Sequence, residues 1–535
     1  MKTFWKENVV YQIYPRSFCD SNGDGIGDIQ GIISKLDILK DLGVDILWLS
    51  PVYQSPNHDF GYDVRDYLEI NPEYGTMEDM DELLSACQKR GLKIIMDLVI
   101  NHTSDEHQWF IKSKQNDPVY RDYYIWRNQP NNWSGFFSGT TWEKYEDAYY
   151  LHLFLKEQPD LNWKNPKVLE EIKKIMHFWL KKGISGFRLD VINIIYKTSL
   201  ENGKKHIALT GKEHYHSQEG CHEILKTLRR EVMDKYEAFT VGETVLVTVD
   251  QANDLIHPSR NELDMVFSFE HMEVDQVNNK WFKTKFKPQK LIDTLIRWQI
   301  GAYWNANYLE NHDQPRSVSR FGNDQTYHHE SATALIAMLL TLKGTPFIYQ
   351  GQEIGMKNGV FKNMEDYKDP ETHRIESLMR NLYFPKGLRK RLIHKTSRDH
   401  ARMPIPWTAE GGFSISKPWI QMNDLMGDIN VENQMNDPKS IWNQTKTLIK
   451  LRKSNESLSY GTFEVISRKH GLFIYERSLA NEKIQILINL TPSYKTWLNL
   501  NEKDVIWSNQ PIDLVNKQIK PYIAIISKLA SKNGR

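Results

Sequence analysis

Apolar positions along the chain follow two alternating patterns, short continuous runs and longer stretches with a helical period. Residues 9–14 (VVYQIY) are mostly apolar, which predicts a buried strand. In residues 29–42 the apolar side chains recur every three or four positions, as on one face of a helix. Residues 93–100 (KIIMDLVI) are nearly continuously apolar, which is typical of a parallel strand covered on both faces. The sequence therefore predicts alternating strands and helices.

The alternation supplies eight strand-like segments up to residue 349. Eight such units favour an α/β fold, the (β/α)8 or TIM barrel, over an open doubly wound sheet, which does not need eight of them. Predicted helices cover residues 29–42, 78–90, 167–182, 221–236, 288–299 and 330–342. The predicted strands cover residues 9–14, 45–49, 93–100, 186–189, 238–242, 264–269, 303–309 and 345–349.

Two segments depart from this alternation. Residues 103–168 are rich in Trp, Asn, Gly and Tyr without a clear helical period, which indicates a loop domain inserted after strand 3. After residue 458, strand-like runs separated by turns predict an antiparallel β domain without helices. The expected division is a barrel of 1–102 and 169–457, an inserted domain of 103–168 and a C-terminal domain of 458–535.

Composition excludes several classes of protein. Lys and Arg number 69 against 68 Asp and Glu, and the net charge of +1 argues against nucleic-acid binding as the main function. No apolar run reaches about 18 residues, so we expect no membrane partner. Three widely spaced cysteines and an N-terminus without a signal-peptide pattern favour a reduced, cytoplasmic protein. The composition allows a monomer or a dimer.

Polar side chains gather where the predicted strands end, which is the side of a (β/α)8 barrel that carries catalytic groups. Four carboxylates, two histidines and an arginine would meet there. Strand 3 carries Asp97 and runs into His102, strand 4 ends in Arg188 and Asp190, strand 5 ends in Glu243, and strand 7 runs into His312 and Asp313.

This set of side chains predicts cleavage of a glycosidic bond. Two carboxylates about 5 Å apart cleave such a bond with retention, one as the nucleophile and the other as the acid. Arg188 lies two residues before Asp190 on the same side of the strand, so we expect its guanidinium to keep Asp190 ionised. Glu243 lies among uncharged neighbours, which suits a general acid. His102 and His312 are expected to donate hydrogen bonds to sugar hydroxyls.

The chain resembles the α-amylase superfamily (glycoside hydrolase family 13), and within it the oligo-1,6-glucosidase and dextran glucosidase branch. The resemblance extends from residue 9 to the terminal β domain. It rests on the motifs DLVINH (97–102), QPDLNW (158–163), GFRLDVIN (186–193), VGET (241–244) and ENHD (310–313).

The resemblance implies a small oligosaccharide substrate and a retaining exo-α-glucosidase that hydrolyses α-1,6 bonds through a covalent glucosyl-aspartate. Asp190 resembles the nucleophile, Glu243 the acid/base, and Asp313 the third carboxylate, which holds sugar hydroxyls. Residues that match the pocket for the non-reducing glucose are Asp59, Tyr62, His102, Arg188, His312 and Arg398.

Val191 follows the expected nucleophile, and in this family Val at that position accompanies α-1,6 preference. A β-branched side chain there would narrow the entrance beside the leaving sugar. One methyl group is worth only about 1–3 kcal/mol, so it sets a preference and not an absolute bar.

Three other interpretations of the function remain open. A trehalose-6-phosphate hydrolase would need a basic pocket, and its nearest candidates, Lys280, Lys283, Lys285 and Lys287, are interpreted as a solvated face. A sucrose isomerase or transglucosylase is the second alternative, but the isomerases that resemble this chain carry an Arg- and Asp-rich loop after strand 6, whereas residues 270–281 contain no Arg. A non-catalytic transporter partner would tend to lose the carboxylates, which are all present here.

A loop near the N-terminus predicts a structural Ca²⁺. Oxygen ligands at alternate positions, with Gly25 at the sixth, match the first nine positions of a calcium loop, although position 12 is Gly31 and not Glu. Related glucosidases bind Ca²⁺ at the equivalent loop, and no organic cofactor is expected. The predicted ligands are Asp20, Asn22, Asp24, Ile26 and Asp28.

Overall fold

Eight strands form one sheet in the computed structural model, which describes residues 3–137, 139–206, 208–277, 279–496, 502–513 and 515–529. Their order is β6-β5-β4-β3-β2-β1-β8-β7, and the pairs β3–β4, β4–β5, β5–β6, β1–β8 and β7–β8 run parallel. This order confirms the predicted (β/α)8 fold class. The strands are β1 (Val10–Ile13), β2 (Ile46–Leu49), β3 (Lys93–Leu98), β4 (Gly186–Leu189), β5 (Phe239–Glu243), β6 (Met265–Phe267), β7 (Ala306–Asn307) and β8 (Thr345–Tyr349).

Helices alternate with these strands, and side-chain caps fix where several of them begin. Asp28 accepts a hydrogen bond from the Gly31 amide at the start of one helix, and Thr76 forms a capping box with Asp79 at another. The main helices are Ile29–Leu42, Met77–Lys89, Pro166–Lys182, Glu219–Glu231, Val249–Ile256, Pro288–Gly301 and His328–Thr341.

The seventh strand is shorter than the predicted 303–309. Trp304 donates from Nε1 to Thr345 Oγ1 at 3.0 Å, and the Asn305 amide donates to the Trp298 carbonyl at 3.1 Å. Only Ala306–Asn307 pairs as a strand, with Thr345 and Pro346 of β8. The predicted helix 221–236 also ends early, at Glu231, and a 3₁₀ turn follows at Met233–Tyr236.

Two compact units divide the chain, Met1–Leu47 with Phe269–Arg535, and Trp48–Ser268. We call them the outer unit and the middle unit, after their places in the sequence. Their bounds differ from the predicted domains, whose boundaries at residues 103, 169 and 458 stay a prediction.

Within the middle unit, the segment that follows β3 has a helix and a small sheet of its own. Its core contains Trp133, Trp142, Leu151 and Leu153. The helix Gln108–Lys114 was not predicted, since only seven residues carry its pattern. The three-stranded antiparallel sheet consists of Trp126–Arg127, Trp142–Tyr145 and Ala148–Leu151.

The outer unit ends in the predicted antiparallel sheet. Its strands are ordered β9-β10-β11-β13-β12. The last strand, β13, was missed, and a short helix at Glu456–Tyr460 crosses the predicted start of this domain. Arg477 of β10 donates to the carbonyls of Thr341 and Leu458 and so fastens the sheet to that helix. The strands are β9 (Thr462–Lys469), β10 (Leu472–Leu479), β11 (Glu482–Asn489), β12 (Val505–Ser508) and β13 (Ala524–Leu529).

None of the helices among the described residues has the length and apolar character needed to cross a bilayer.

Candidate active site

Three carboxylates surround one guanidinium at the ends of β3, β4 and β5, in the middle unit. Arg188 Nη1 lies 2.6 Å from Asp97 Oδ1 and also donates to Asp190 Oδ1, while Nη2 lies 2.7 Å from Glu243 Oε2. All four side chains are buried. The sequence placed Arg188, Asp190 and Glu243 together correctly, because they close neighbouring parallel strands.

Burial and Arg188 act in opposite directions on the pKa of Asp190, and burial is the larger effect. Desolvation raises this pKa to about 6, and the guanidinium of Arg188 only partly offsets the rise. With a pKa of about 6 the carboxyl is mostly ionised at pH 7, which is compatible with the expectation that Arg188 keeps Asp190 ionised. A hydrogen bond with Glu243 also lowers the pKa of Asp190.

Asp97 anchors the floor of this cluster. Its Oδ2 accepts from Trp48 Nε1 at 3.0 Å and from the Tyr62 hydroxyl at 3.1 Å. Burial raises the pKa of Asp97 to about 6, against the opposing effect of Arg188. Trp48 was not predicted as a site residue, since an indole inside an apolar strand gives no sign of a polar role.

Asp59 lies on a turn that a second carboxylate holds. Asp63 Oδ1 accepts from the Asp59 amide at 3.0 Å, and Asp63 Oδ2 accepts from the His58 amide at 2.7 Å. Gln158 Nε2 donates to Asp59 Oδ2 at 3.2 Å. Gln158 is the first residue of the QPDLNW motif, and the sequence alone predicted no role for it.

His102 lies close to Tyr62 in the same unit. Its Nε2 lies 3.0 Å from the Tyr62 carbonyl oxygen and its Nδ1 lies 3.1 Å from Asn101 Nδ2. Burial lowers the pKa of His102 to about 4, so the ring is neutral at physiological pH.

Val191 has a left-handed backbone, with φ of 37° and ψ of 40°. A β-branched residue rarely adopts this conformation. It points the Val191 amide at Glu243 Oε2, 3.2 Å away, and its side chain packs in the apolar cluster that includes Trp142 and Tyr215. Strain of this kind persists where the surrounding structure enforces it, which is common at functional sites.

The outer unit holds a second polar group, centred on Asp313. His312 Nε2 lies 3.1 Å from Asp313 Oδ2, and Gln12 Nε2 lies 2.9 Å from His312 Nδ1. A proton on Nε2 satisfies both contacts, because Gln12 then donates to Nδ1. The Asp313 side chain is 26% exposed, so a ligand can reach it.

Two arginines hold Asp313 from the segment that follows the predicted barrel strands. Arg398 Nη1 and Arg402 Nη2 lie 2.9 and 3.2 Å from Asp313 Oδ1. Although burial raises it, the pKa of Asp313 stays well below its ordinary value, since His312 and the two arginines favour the charged form. Asp369 Oδ1 accepts from Arg398 Nη2 at 2.6 Å. Arg402 lies on the short helix Asp399–Arg402, Asp369 caps the helix Pro370–Asn381, and both were missed because neither follows a predicted strand.

The predicted calcium loop is a series of tight turns in the outer unit. Asp20 accepts from the amides of Gly23 and Gly25 at 2.7 and 2.8 Å, and Asp24 accepts from the Ile26 amide at 2.8 Å. Asp28 is occupied as the cap of the following helix. Among the described parts of the chain, no group of three or more His, Cys, Asp or Glu side chains is arranged to hold a metal ion.

The lysines after β6 do not all form a solvated face. Lys283 has a side chain that is only 5% exposed, with Nζ 3.9 Å from Asp275 Oδ2. Burial and the positive charges of Arg320, Lys280 and Lys395 together lower its pKa to about 7. The interpretation as a solvated face is thus wrong for Lys283, the last residue of the strand Asn279–Lys283.

Comparisons with known proteins agree with this geometry. Residues 12–461 match the family described as alpha amylase, catalytic domain. The chain is 46% identical to an oligo-1,6-glucosidase of Parageobacillus thermoglucosidasius over 99% of both proteins. A crystal structure of trehalose-6-phosphate hydrolase from Bacillus licheniformis matches with a TM-score of 0.93 and 40% identity, covering 99% of this chain and 100% of that one. A variant of an isomaltulose synthase from Erwinia rhapontici NX5, in complex with sucrose, matches with 0.94 and 38% over the same shares.

The (β/α)8 fold and the carboxylates at its strand ends define a glycoside hydrolase. The chain belongs to the α-amylase family.

Proposed function

We propose that this protein is a retaining exo-α-glucosidase that removes glucose from the non-reducing end of α-1,6-linked oligosaccharides. The observation that carries the proposal is the pair Asp190 and Glu243, which share one arginine and a hydrogen bond. Carboxyls this close leave no room for a water between them, as an inverting enzyme requires. The oligo-1,6-glucosidase relatives support the α-1,6 linkage.

In the proposed reaction, Asp190 attacks the anomeric carbon while Glu243 gives its proton to the leaving oxygen. The product of this step is a glucosyl ester of Asp190. Glu243, now ionised, takes a proton from water, and that water releases glucose with its original α configuration. Asp313, which two arginines and His312 keep charged, binds sugar hydroxyls.

The remaining predicted residues would bind the terminal glucose. Asp59 and Tyr62 offer a carboxylate and an aromatic ring, and sugars use both, the first for pairs of hydroxyls and the second for apolar faces. The resemblance to the family also assigns sugar-binding roles to His102, His312 and Arg398. Val191 would set the preference for α-1,6 bonds through the shape of the entrance.

Glucose release from isomaltose, maltose, sucrose and trehalose 6-phosphate, measured side by side, tests the proposal. We expect isomaltose to be hydrolysed fastest, with Asp190→Asn as the inactive blank. Fastest release from maltose would overturn the role given to Val191. Isomaltulose as the main product from sucrose would indicate an isomerase.

One observation favours a second candidate, hydrolysis of trehalose 6-phosphate. Lys283 lies in a group of basic side chains with Lys280, Arg320 and Lys395, opposed by Asp275 and Glu371. Such a group suits a phosphate. If trehalose 6-phosphate is the best substrate, Lys283→Met should raise its KM and leave that of isomaltose unchanged, whereas a purely structural lysine would affect both alike.

We also propose a structural Ca²⁺ in the loop of residues 20–28. Carboxylate, amide and carbonyl oxygens at alternate positions are the donors that Ca²⁺ prefers. The ligands would be Asp20, Asn22, Asp24, the Ile26 carbonyl and Asp28, and the ion would hold the loop between β1 and its helix. Elemental analysis of the purified protein should find one calcium per chain, and a chelator should lower the Tm. If the loop needs no metal, the analysis should find no calcium and the chelator should leave the Tm unchanged.

The cellular setting is part of the same proposal. Cys19, Cys87 and Cys221 are buried thiols whose pKa values are raised by burial, which suits a protein of the reducing cytoplasm. Cell fractionation tests the location, and light scattering distinguishes the monomer from the dimer.

A further inference from the structure

A chain of buried polar contacts in the middle unit runs from Lys197 to His102. Lys197 Nζ lies 2.6 Å from Asp160 Oδ2 and donates to Asn101 Oδ1 at 2.8 Å. Asn101 Nδ2 lies 3.1 Å from His102 Nδ1, and His102 Nε2 lies 3.0 Å from the Tyr62 carbonyl oxygen. Each of these side chains is less than a twentieth exposed, apart from Tyr62. These polar contacts are therefore shielded from solvent.

The direction of each hydrogen bond follows from its first member. An ammonium only donates, so the oxygen of the Asn101 amide must face Lys197. The NH₂ group of that amide then faces the imidazole, and it donates to Nδ1 only if Nδ1 carries no proton. The proton of the neutral ring consequently lies on Nε2, where the Tyr62 carbonyl accepts it.

Gln158 also contacts Nε2 of the His102 ring, and this contact bears on which ring nitrogen carries the proton. Its Nε2 lies 3.2 Å from His102 Nε2, and its own orientation is fixed because Oε1 accepts from the Leu155 amide at 3.0 Å. The Gln158 amide also donates to Asp59 Oδ2 and to the Tyr62 carbonyl, both at 3.2 Å, but a ring protonated on Nδ1 could accept from it instead, so this neighbour allows the opposite tautomer. The Asn101 amide excludes that tautomer, since two N–H donors would then face each other at Nδ1.

The same contact disfavours the imidazolium, which carries protons on both nitrogens. The charged groups that act on the ring are Asp160, which favours its positive charge, and Lys197, which opposes it. Burial adds to the effect of Lys197, and the ring stays neutral. We propose that Lys197 is a positioning residue that orients the Asn101 amide and thereby holds His102 as the neutral tautomer with its proton on Nε2.

This inference bears on the proposed sugar pocket, and its significance for catalysis rests on the proposed function. A ring with fixed donor and acceptor sides presents one hydrogen-bonding pattern to a sugar hydroxyl. A ring that exchanges between tautomers must be reorganised at each binding event, which weakens binding of substrate and transition state alike. Loss of Lys197 should therefore raise KM more than it lowers kcat.

The test is ¹⁵N NMR of the histidine rings in the full-length free enzyme, with His102→Gln used to assign the signal. In the wild type we expect a protonated Nε2, an unprotonated Nδ1, and no titration of His102 between pH 5.5 and 8. In Lys197→Met the two nitrogens should show averaged shifts. The matched control is Lys182→Met, which also removes a lysine paired with an aspartate, Asp81, at 2.6 Å; its His102 signals should match the wild type.

Asn101→Asp keeps the proposal testable if Lys197→Met does not fold. An aspartate presents an acceptor to Nδ1, so His102 should gain a proton there and titrate at a higher pH than in the wild type. A wild-type ring protonated on Nδ1, or an unchanged tautomer in both variants, would overturn the inference. The kinetic arm is separate: KM for isomaltose should rise about tenfold, the value of one hydrogen bond, in Lys197→Met. If His102→Gln leaves KM unchanged, the proposed pocket is wrong while the tautomer result stands.

Discussion

Replacement of Arg188 by Met removes the one positive charge that three buried carboxylates share. The guanidinium lies 2.6 Å from Asp97 and 2.7 Å from Glu243, and it also donates to Asp190. With charge centres about 4 Å apart and an effective dielectric constant of about 20, each pair is worth about 4 kcal/mol, or about 3 pKa units. Asp190 has a pKa of about 6 with Arg188 present. Without it, we expect an apparent pKa of about 9.

The consequence for the reaction is a loss of ionised nucleophile. At pH 7 the ionised fraction of Asp190 would fall from about 0.9 to about 0.01, which is a loss of roughly 90-fold in kcat from ionisation alone. Because Asp190 ionises again as the pH approaches its raised pKa, the variant should regain activity as the pH rises towards 9. The wild type should instead be half as active at pH 6 as at its plateau and should come close to that plateau at about pH 7.

The assay is kcat against pH with 4-nitrophenyl α-glucoside, whose good leaving group needs little help from Glu243. Arg229→Met serves as the control, because Arg229 also pairs with a carboxylate, Asp264, at 2.9 Å but outside the site. An uncompensated buried charge costs about 3–5 kcal/mol of stability. Circular dichroism is therefore used to check that each variant is folded. An acid limb that stays near pH 6 in Arg188→Met would refute the reasoning.

Three further predictions follow from single contacts. Val191 has φ of 37°, so Val191→Gly should be more stable than Val191→Ala, by about 1 kcal/mol in urea unfolding, whereas the usual order would contradict a strained backbone. Glu353 is buried with a pKa raised to about 7, so the stability that its protonation provides is complete below pH 4.5 and is lost as the pH rises through 7. The free energy of unfolding of Glu353→Gln should therefore gain about 3 kcal/mol relative to that of the wild type between pH 5 and 8. A difference that stays constant with pH would refute this. Asp369→Asn keeps the helix cap but loses the charge that orients Arg398, so KM for isomaltose should rise about tenfold with a smaller change in kcat, and an unchanged KM would exclude that role.

Sequence patterns predicted the sheet well, because its strands are buried on both faces and read as apolar runs. β4 and β8 have the predicted bounds, Gly186–Leu189 and Thr345–Tyr349. β7 was predicted too long: residues 303–309 look like a strand, but only Ala306–Asn307 pairs as one, while the side chains of Trp304 and Asn305 bind other segments. Such contacts depend on distant residues and leave no local pattern.

The site was predicted less completely than the fold. Positions at strand ends brought Arg188, Asp190 and Glu243 together, but the pKa of Asp190 depends on burial, which neighbouring residues in the sequence do not report. Lys283 was misread for the same reason, because a lysine in a charged stretch gives no sign of being buried. Arg402 was missed, since it reaches Asp313 from 89 residues away along the chain.

The measurement that tests the central claim most directly is the site of covalent attachment. The enzyme would be treated with 5-fluoro-α-glucosyl fluoride, which slows hydrolysis of a glucosyl ester, and then digested and mapped by mass spectrometry. The account predicts one added 5-fluoroglucosyl group, located on Asp190, and no label in Asp190→Asn. A label on Glu243 or Asp313, or turnover with no covalent intermediate and inverted glucose, would contradict it.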